Sequence, residues 1–439
     1  MGRNSRSLKK NSFFGYVFAE NRAFLIYSIF CFTAMFLYIA YATWMGQGFY
    51  RFTLFKLCDD VFMDFYNSVR DAHMLDVRCY SERHVIYPPL ANLFYAFISR
   101  FMNNDFITAD DGHSLTWRYW LYDIFVYPIL AIFIVVVIAL VINNRTKGSS
   151  SKKFIFALLS VFSWPFVYMI ERGNILSIAF LLLLLYVFYY DSENKVVSEL
   201  ACICLAVSAG IKLYPAVFGI LLILDKRYKQ AIRTVIYGIL SVVLPMFAFY
   251  SGFEGIRLWL ENIRRFTGMV SGSVYFPGST TCKSGFYVLQ RILGSGRVGV
   301  GGFADKMFTF LPLIVAIAAV VILPRKWQRF MALIFFAITV PGGGGSYSLV
   351  FLTIPLLFMM EEKKLRVFDY AYVLIITVQH MIFPIPMVAA QSMIGVNQLI
   401  TPVTVMTLFL LLSIDLVIEV KKIVKKERPV LVKMERVGQ

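Results

Sequence analysis

Charged side chains are scarce in this sequence. Asp, Glu, Lys and Arg together make up 16% of its 439 residues, against about 25% in soluble globular chains. Hydrophobic residues reach 59% and aromatic ones 17%, which excludes a water-soluble domain on composition alone. Acids are the scarcest charge, 26 against 43 basic residues, leaving a net charge of +17. Cysteine is limited to six residues, and their spacing follows no metal-binding pattern, so no zinc site is expected. Internal repeats and low-complexity tracts are also missing. A string of separate soluble domains is thereby excluded, and one polytopic membrane domain over residues 1–439 is expected.

What the sequence does have is a regular series of apolar runs. A helix that crosses a bilayer needs about 20 mostly apolar residues. Runs near 23–45, 117–142, 153–171, 174–190, 196–211, 212–224, 231–250, 305–323, 327–341, 346–360, 368–384 and 399–420 predict an all-α fold of about 12 transmembrane helices. Pro215 and the Pro341 to Gly345 stretch interrupt apolar runs, and broken or half-length helices are expected there. The run Pro88 to Phe101 covers only about 20 Å as a helix, too short to cross. It is expected as an interfacial or re-entrant helix in the first outer loop.

Sorting the charge by alternate loops separates the two faces. One face takes 27 basic and 12 acidic residues, net +15, and the other keeps net +2. Basic excess marks the cytoplasmic side, so a multi-pass chain of the cell membrane with both termini cytoplasmic is predicted, ending in a basic tail over 421–439. The surplus is thus a topology signal, and no nucleic-acid partner is implied. The apolar run from Ala23 to Met45 exceeds the roughly 7–15 residues of a signal-peptide core, which favours an uncleaved anchor. Two long outer loops, 46–116 and 251–304, make the outer face the place to look for chemistry. A Cys58–Cys79 disulfide would be permitted there; unpaired thiols fit the sequence equally well.

The first outer loop carries three carboxylates within six residues: Asp59, Asp60 and Asp64. If the segment is helical, Asp60 and Asp64 share a face. Crowded carboxylates raise one another's pKa, which suits a general base or a cation site; a hydrated acidic turn is the plainer alternative. Downstream, Pro88 and Pro89 make a rigid corner that would aim Tyr87, Arg83 or His84 at the acidic segment. In the tight hairpin Ile170-Glu171-Arg172-Gly173-Asn174, two charges sit at a membrane boundary where each needs a partner or water, with Gly173 as a helix stop. Lys212, in Gly210-Ile211-Lys212-Leu213-Tyr214-Pro215, has no basic neighbour, and an anion is its natural ligand. Arg257, Arg264, Arg265, Lys283, Arg291 and Arg297 place further cations in a glycine-rich outer loop that either folds over a ligand or meets lipid headgroups. His380, at an outer helix end, either contacts a phosphate or acceptor sugar or is a structural histidine.

The order of these features resembles glycosyltransferase family 87: an acidic first outer loop, Tyr87-Pro88-Pro89-Leu90, Glu171-Arg172-Gly173-Asn174, then Lys212-Leu213-Tyr214-Pro215. The resemblance covers roughly the first half of the chain; after Arg233 it is one of hydropathy and helix count. It implies a GT-C-like membrane enzyme that moves a hexose, with mannose the sugar implied, from a polyprenyl-phosphate donor to a glycolipid or glycan acceptor of the bacterial envelope. The catalytic aspartate it implies falls among Asp59, Asp60 and Asp64, with Asp60 first. Arg172 and Lys212 match positions serving the donor phosphate, and Arg264 and Arg265 are further candidates for it. Tyr87, Glu171, Asn174, Tyr214 and His380 are the candidate substrate contacts. No cofactor and no metal is expected, since a monophosphate donor does not demand one. Two rivals remain: an envelope-glycan polymerase or ligase using a lipid-diphosphate donor, and a lipid or solute transporter.

Overall fold

A computed structural model describes residues 22–46, 61–73, 78–81, 84–102, 121–272, 279–292, 303–339, 345–362, 364–383, 386–389 and 392–425. Proline and glycine decide where its helices stop. Among the described residues, three helices are long and apolar enough to cross a membrane unaided. They lie in α1 (Arg22–Met45), α5 (Leu121–Arg145) and α18 (Val396–Val424). The run read from sequence as one span over 153–171 is instead two helices, α6 (Ser150–Val161) and α7 (Trp164–Glu171), bent by 48°. Pro165 explains the break, because proline disfavours helix at the residue before it and is tolerated in the first turn that follows. Counting that pair as one gives up to four spans. Among the described residues the apolar runs are thus divided between a few long helices and several short ones, as the interruptions by proline and glycine imply.

The next helices run α8 (Leu176–Tyr189), α9 (Lys195–Ile211), a 3₁₀ turn at Tyr214–Gly219 leading into α10 (Ile220–Leu224), and α11 (Tyr228–Met246). The 3₁₀ turn falls where Pro215 interrupts the apolar run. After α12 (Glu254–Gly272), α13 (Cys282–Ile292), α14 (Phe303–Ile322) and α15 (Lys326–Thr339), a second 3₁₀ turn at Ser346–Leu352 feeds α16 (Thr353–Glu361). The α17 helix (Asp369–His380) precedes α18, and a short antiparallel ribbon, β1 (Pro386–Ala389) with β2 (Ser392–Gly395), joins them. Apart from that ribbon the described chain is helical.

Large apolar side chains face outward in numbers that water would not tolerate, among them Phe36, Ile129, Phe133, Ile232 and Val235. Such surfaces belong in hydrocarbon. The interior is aromatic, with Tyr27, Tyr66, Tyr95, Tyr127, Tyr186 and Trp327 fully buried.

Polar contacts fall into two groups. In one, Arg145 lies 3.6 Å from the Tyr189 ring centroid. Lys147 pairs with Glu361 at 3.2 Å and Lys326 with Asp191 at 3.0 Å. In the same group the buried Asp369 accepts from Arg325 and Arg366, and the buried Asp415 accepts from Arg366 (2.7 Å), Gln328 (3.0 Å) and Tyr372 (3.1 Å). In the other, the segments of the first long loop stack on α12. Asn262 donates to the Tyr80 carbonyl at 2.7 Å, and the Trp259 indole to the Ile86 carbonyl at 3.0 Å. The short α4 (Pro89–Ser99) starts at the double proline and is wedged against α9 and α11, where a Cβ at Gly210 would stand 2.5 Å from Ser241 Oγ and 3.0 Å from Leu90.

Arg366 serves two buried carboxylates at once. Arg366→Ala leaves both without their shared donor, and a loss of about 3 kcal/mol or more is expected. Thermal unfolding of the detergent-solubilised protein reads that loss.

Candidate functional site

The site is built on the end of α7. Gly173 stands at φ +69°, its amide donates to the Ile170 carbonyl at 2.9 Å, and the Asn174 amide to the Met169 carbonyl at 3.1 Å. This pair of bonds is the Schellman motif, which closes a helix with a left-handed glycine. Two carbonyls of the terminus are left pointing outward, and α2 (Met63–Ala72) docks on them. The Phe62 amide donates to the Glu171 carbonyl at 2.7 Å and the Asp64 amide to the Arg172 carbonyl at 2.9 Å. The two segments meet so closely at Gly173 that a Cβ there would lie 2.8 Å from the Phe65 Cβ.

This docking delivers the Asp64 carboxylate to the hairpin side chains. Its Oδ1 accepts from Arg172 Nη2 at 2.5 Å and its Oδ2 from Asn174 Nδ2 at 2.9 Å. Asn174 is fixed in turn, because its Oδ1 accepts the Leu176 amide at 3.1 Å. Both carboxylate oxygens are therefore engaged, one of them in a charge-assisted bond.

Lys212 approaches from the link between α9 and the first 3₁₀ turn. Its Nζ stands 4.2 Å from the Tyr87 ring centroid, a cation–π contact. Protein groups crowd the ammonium, and desolvation pulls its pKa down to about 8, while the negative charge of Asp64 acts in the opposite direction. Tyr87 comes from the double-proline corner and meets Tyr95 edge-on at 5.9 Å. Tyr87, Tyr95, Tyr127 and Tyr347 all lie within electrostatic range of Asp64, and Tyr214 within range of Tyr87. The Tyr127 and Tyr214 hydroxyls are buried with no hydrogen-bond partner among the described residues. Buried hydroxyls of that kind are costly unless something fills the space they face.

An apolar cavity of about 790 Å³ opens beside Lys212. Ala209 and Leu213, on either side of it in the chain, line the cavity together with Val217, Gly238, Val242 and Phe336. A cation whose chain neighbours line an apolar cavity, with a pinned carboxylate within electrostatic range, suits a ligand that joins an anion to a hydrocarbon chain.

Residues 85–342 match glycosyltransferase family 87. The chain belongs to glycosyltransferase family 87. It is by family a membrane glycosyltransferase, with a sugar donor and an acceptor. No curated protein and no solved structure matches it. The family 87 match includes the double-proline corner, the Glu171 to Asn174 hairpin and the Lys212 to Pro215 link. It continues well past Arg233, where the resemblance in the sequence is one of hydropathy and helix count, and it begins after the acidic cluster.

Of the site residues expected from sequence, Asp64, Arg172, Asn174, Tyr87, Lys212 and Tyr214 are brought together. Glu171 is buried, and its carbonyl receives the Phe62 amide. Arg264 and Arg265 are exposed on α12, and neither has a hydrogen bond to this cluster among the described residues. His380, the remaining candidate, keeps its Nε2 buried without a hydrogen-bond partner among the described residues. It is buried in the core at the end of α17, sharing a 3.1 Å hydrogen bond between Nδ1 and the Tyr27 hydroxyl of α1. Asp59, Asp60, Cys58, Arg83 and Arg297 lie outside the described residues; Cys79 is buried. Sequence reasoning missed Tyr95, Tyr127 and Tyr347, since a tyrosine inside an apolar run carries no mark that separates site from core.

Gly173→Ala puts a Cβ into Phe65 on a backbone that an L side chain rarely adopts, a strain of about 1–3 kcal/mol. A lowered unfolding temperature and reduced sugar transfer are expected together, because the same contact seats Asp64.

Proposed function

We propose that this family 87 enzyme moves a hexose, mannose first among candidates, from a polyprenyl-phosphate carrier to an envelope glycolipid or glycan, inverting the anomeric carbon. The observation that carries this reading is the Lys212 ammonium, 4.2 Å from the Tyr87 ring centroid and within range of the Asp64 charge, with its chain neighbours Ala209 and Leu213 lining the apolar cavity. A lipid-monophosphate sugar has that shape: an isoprenoid tail for the cavity, an anion for the ammonium and a hexose for the surrounding tyrosines.

In this mechanism the acceptor hydroxyl attacks the anomeric carbon and passes its proton to Asp60. The bond from that carbon to the phosphate oxygen breaks, and the electron pair leaves on the phosphate. Ordinary glycoside cleavage needs a carboxylic acid to protonate the leaving oxygen; a phosphate leaves without one. The negative charge on the departing phosphate is stabilised by Lys212 and by the Arg172 guanidinium, which Asp64 orients. Asp64, with both oxygens occupied, acts as a positioning residue that holds Arg172 and Asn174. No metal or cofactor takes part.

The reaction is placed on the extracytoplasmic face of the cell membrane, in a GT-C-like chain of about twelve crossings, broken ones included, with both termini inside. The grouping of polar contacts supports this sidedness. Arg145 with Tyr189, Lys147 with Glu361, Lys326 with Asp191, and Arg366 with Asp415 all join segments that the charge rule assigns to the cytoplasmic face. Asp64, Arg172 and Lys212 fall on the other. Single cysteines at position 60 and at the exposed position 147 are expected to react with an impermeant thiol reagent from opposite sides; labelling from one side would overturn the topology.

Asp60→Asn is expected to lower transfer by about 10²–10⁴-fold, the usual contribution of a positioned base, while donor binding persists. Retained turnover would shift the role to Asp64 or Asp59. The assay uses labelled polyprenyl-phosphate mannose, and transfer only from a lipid-diphosphate sugar would favour a polymerase or ligase.

Lys212 gives the donor site a pH dependence with a defined sign. A lysine whose pKa lies near 8 is charged below that pH, so donor affinity is expected to be level in the acid range and to fall as pH rises through about 8. Lys212→Arg is expected to remove the fall, because arginine stays protonated, and Lys212→Ala to weaken donor binding at every pH.

A further inference from the structure

The α9–α11 helix pair has a second groove, on the side away from the Lys212 cavity. On α9 the line Val196, Glu199, Leu200, Ile203 and Val207 follows the spacing of one helix face, and on α11 the line Gln230, Arg233, Tyr237, Leu240 and Leu244 faces it. The groove divides along its length into two chemically different parts. Near the starts of both helices it is a polar cleft of about 890 Å³ that includes Lys195, Ser198, Glu199, Arg227, Lys229 and Arg233. Farther along it becomes an apolar pocket of about 470 Å³, walled by Leu90, Leu93, Ile203, Leu240 and Leu244. Tyr237 joins the halves, lining the apolar part while its hydroxyl donates to Glu199 Oε1 at 2.7 Å.

The charge balance of the cleft favours an anion. Glu199 is consumed by Arg233, which donates to its two oxygens at 2.8 and 2.7 Å. Arg227 is held by neutral acceptors, the carbonyls of Tyr190 (3.0 Å) and Asp191 (3.3 Å) and the Gln230 side-chain oxygen (3.2 Å). Its charge is therefore retained in the cleft. Lys195 and Lys229 are exposed at the rim. Against these three cations the cleft has the carboxylate of Glu193.

We propose that this groove binds an anionic glycerophospholipid, its phosphate among Arg227, Lys195 and Lys229 and an acyl chain along Ile203, Tyr237, Leu240 and Leu244. The dimensions agree with that occupant. From Arg233 to Leu244 the helix advances about 17 Å, close to the roughly 15 Å of one leaflet's hydrocarbon. Val196, Leu200 and Leu244 are each more than half exposed, so an acyl chain covers apolar surface that headgroup chemistry alone would leave bare. The site is separate from the donor site and independent of the proposed transfer reaction.

The test uses the full-length chain in a neutral detergent, titrated with phosphatidylglycerol, phosphatidylcholine or soluble glycerol 3-phosphate, with bound lipid counted by native mass spectrometry and stability followed by thermal unfolding. Phosphatidylglycerol is expected to bind and raise the unfolding temperature; a Lys195→Gln, Lys229→Gln double variant is expected to bind it at least about tenfold more weakly, as loss of two lysines near an anionic headgroup implies. Ile203→Trp, which fills the apolar half without touching a charge, is expected to weaken it as well. Lys212→Ala is expected to keep phosphatidylglycerol binding intact while donor binding falls, so a failed donor assay and a failed lipid site remain distinguishable. Equal binding of phosphatidylcholine, undiminished affinity in the double variant, or full stabilisation by glycerol 3-phosphate would each overturn the proposal.

Discussion

Two backbone hydrogen bonds hold the site together: the amides of Phe62 and Asp64 on the last carbonyls of the Trp164–Glu171 helix. The constraint behind them is general. A helix that ends within or near hydrocarbon must find partners for its terminal carbonyls, because lipid supplies none. Here the partners come from the start of another helix, whose first amides need acceptors for the same reason. Each terminus satisfies the other, and the side chains next to the junction, Asp64, Arg172 and Asn174, are brought within hydrogen-bonding distance as a consequence. Gly173 is where this junction is least forgiving, since it supplies the left-handed turn and also the closest approach to Phe65.

The same economy governs where charge is placed. Lys212 interrupts an apolar run at a point where the chain leaves helix and turns through Tyr214–Gly219, so its ammonium reaches polar company without crossing hydrocarbon. The face of Tyr87 and the negative charge of Asp64 offset its desolvation without cancelling it. An ammonium in that condition retains attraction for an incoming phosphate, which a fully paired one would not. Arg172 differs, since its guanidinium is held by the Asp64 carboxylate through Nη2. The ion pair therefore orients a cation and does not simply neutralise it.

Much of this was legible in the sequence for one reason: proline, glycine and charge are conspicuous at the edge of an apolar run. Tyr87 before two prolines, Glu171 to Asn174, and Lys212 to Pro215 each interrupt such a run, and the fold brings all three together. Helix lengths were less legible. Pro165 lies inside a run that reads as one continuous span, and only the geometry separates α6 from α7. The tyrosines around Asp64 could not be read at all, because Tyr127 and Tyr347 look like any buried aromatic until the helices that carry them are assembled. His380 could be read either way from its place at a helix end, and the fold gives its Nδ1 a partner in Tyr27, on a helix over 350 residues away in sequence. The acidic cluster was visible, but only its last member, Asp64, falls among the described residues.

The α9–α11 pair shows how one packing decision creates two different sites. Where Gly210 faces Ser241 there is no room for a Cβ, so the backbones touch, as small residues allow helices to do in membranes. Nearer their starts the same helices are joined through two long side chains, Arg233 and Glu199. Two cylinders in contact along a line leave a furrow on each side, and neither furrow can be closed without moving the other. The furrow lined by Ala209 and Leu213 is apolar apart from Thr234, and Lys212 lies between those two residues in the chain. The opposite furrow has its cations near the starts of both helices, where Arg227 is locked to neighbouring carbonyls. The chemistry each furrow accepts is then set by which end of the helix pair carries the unpaired charge, and α9 and α11 carry one at each.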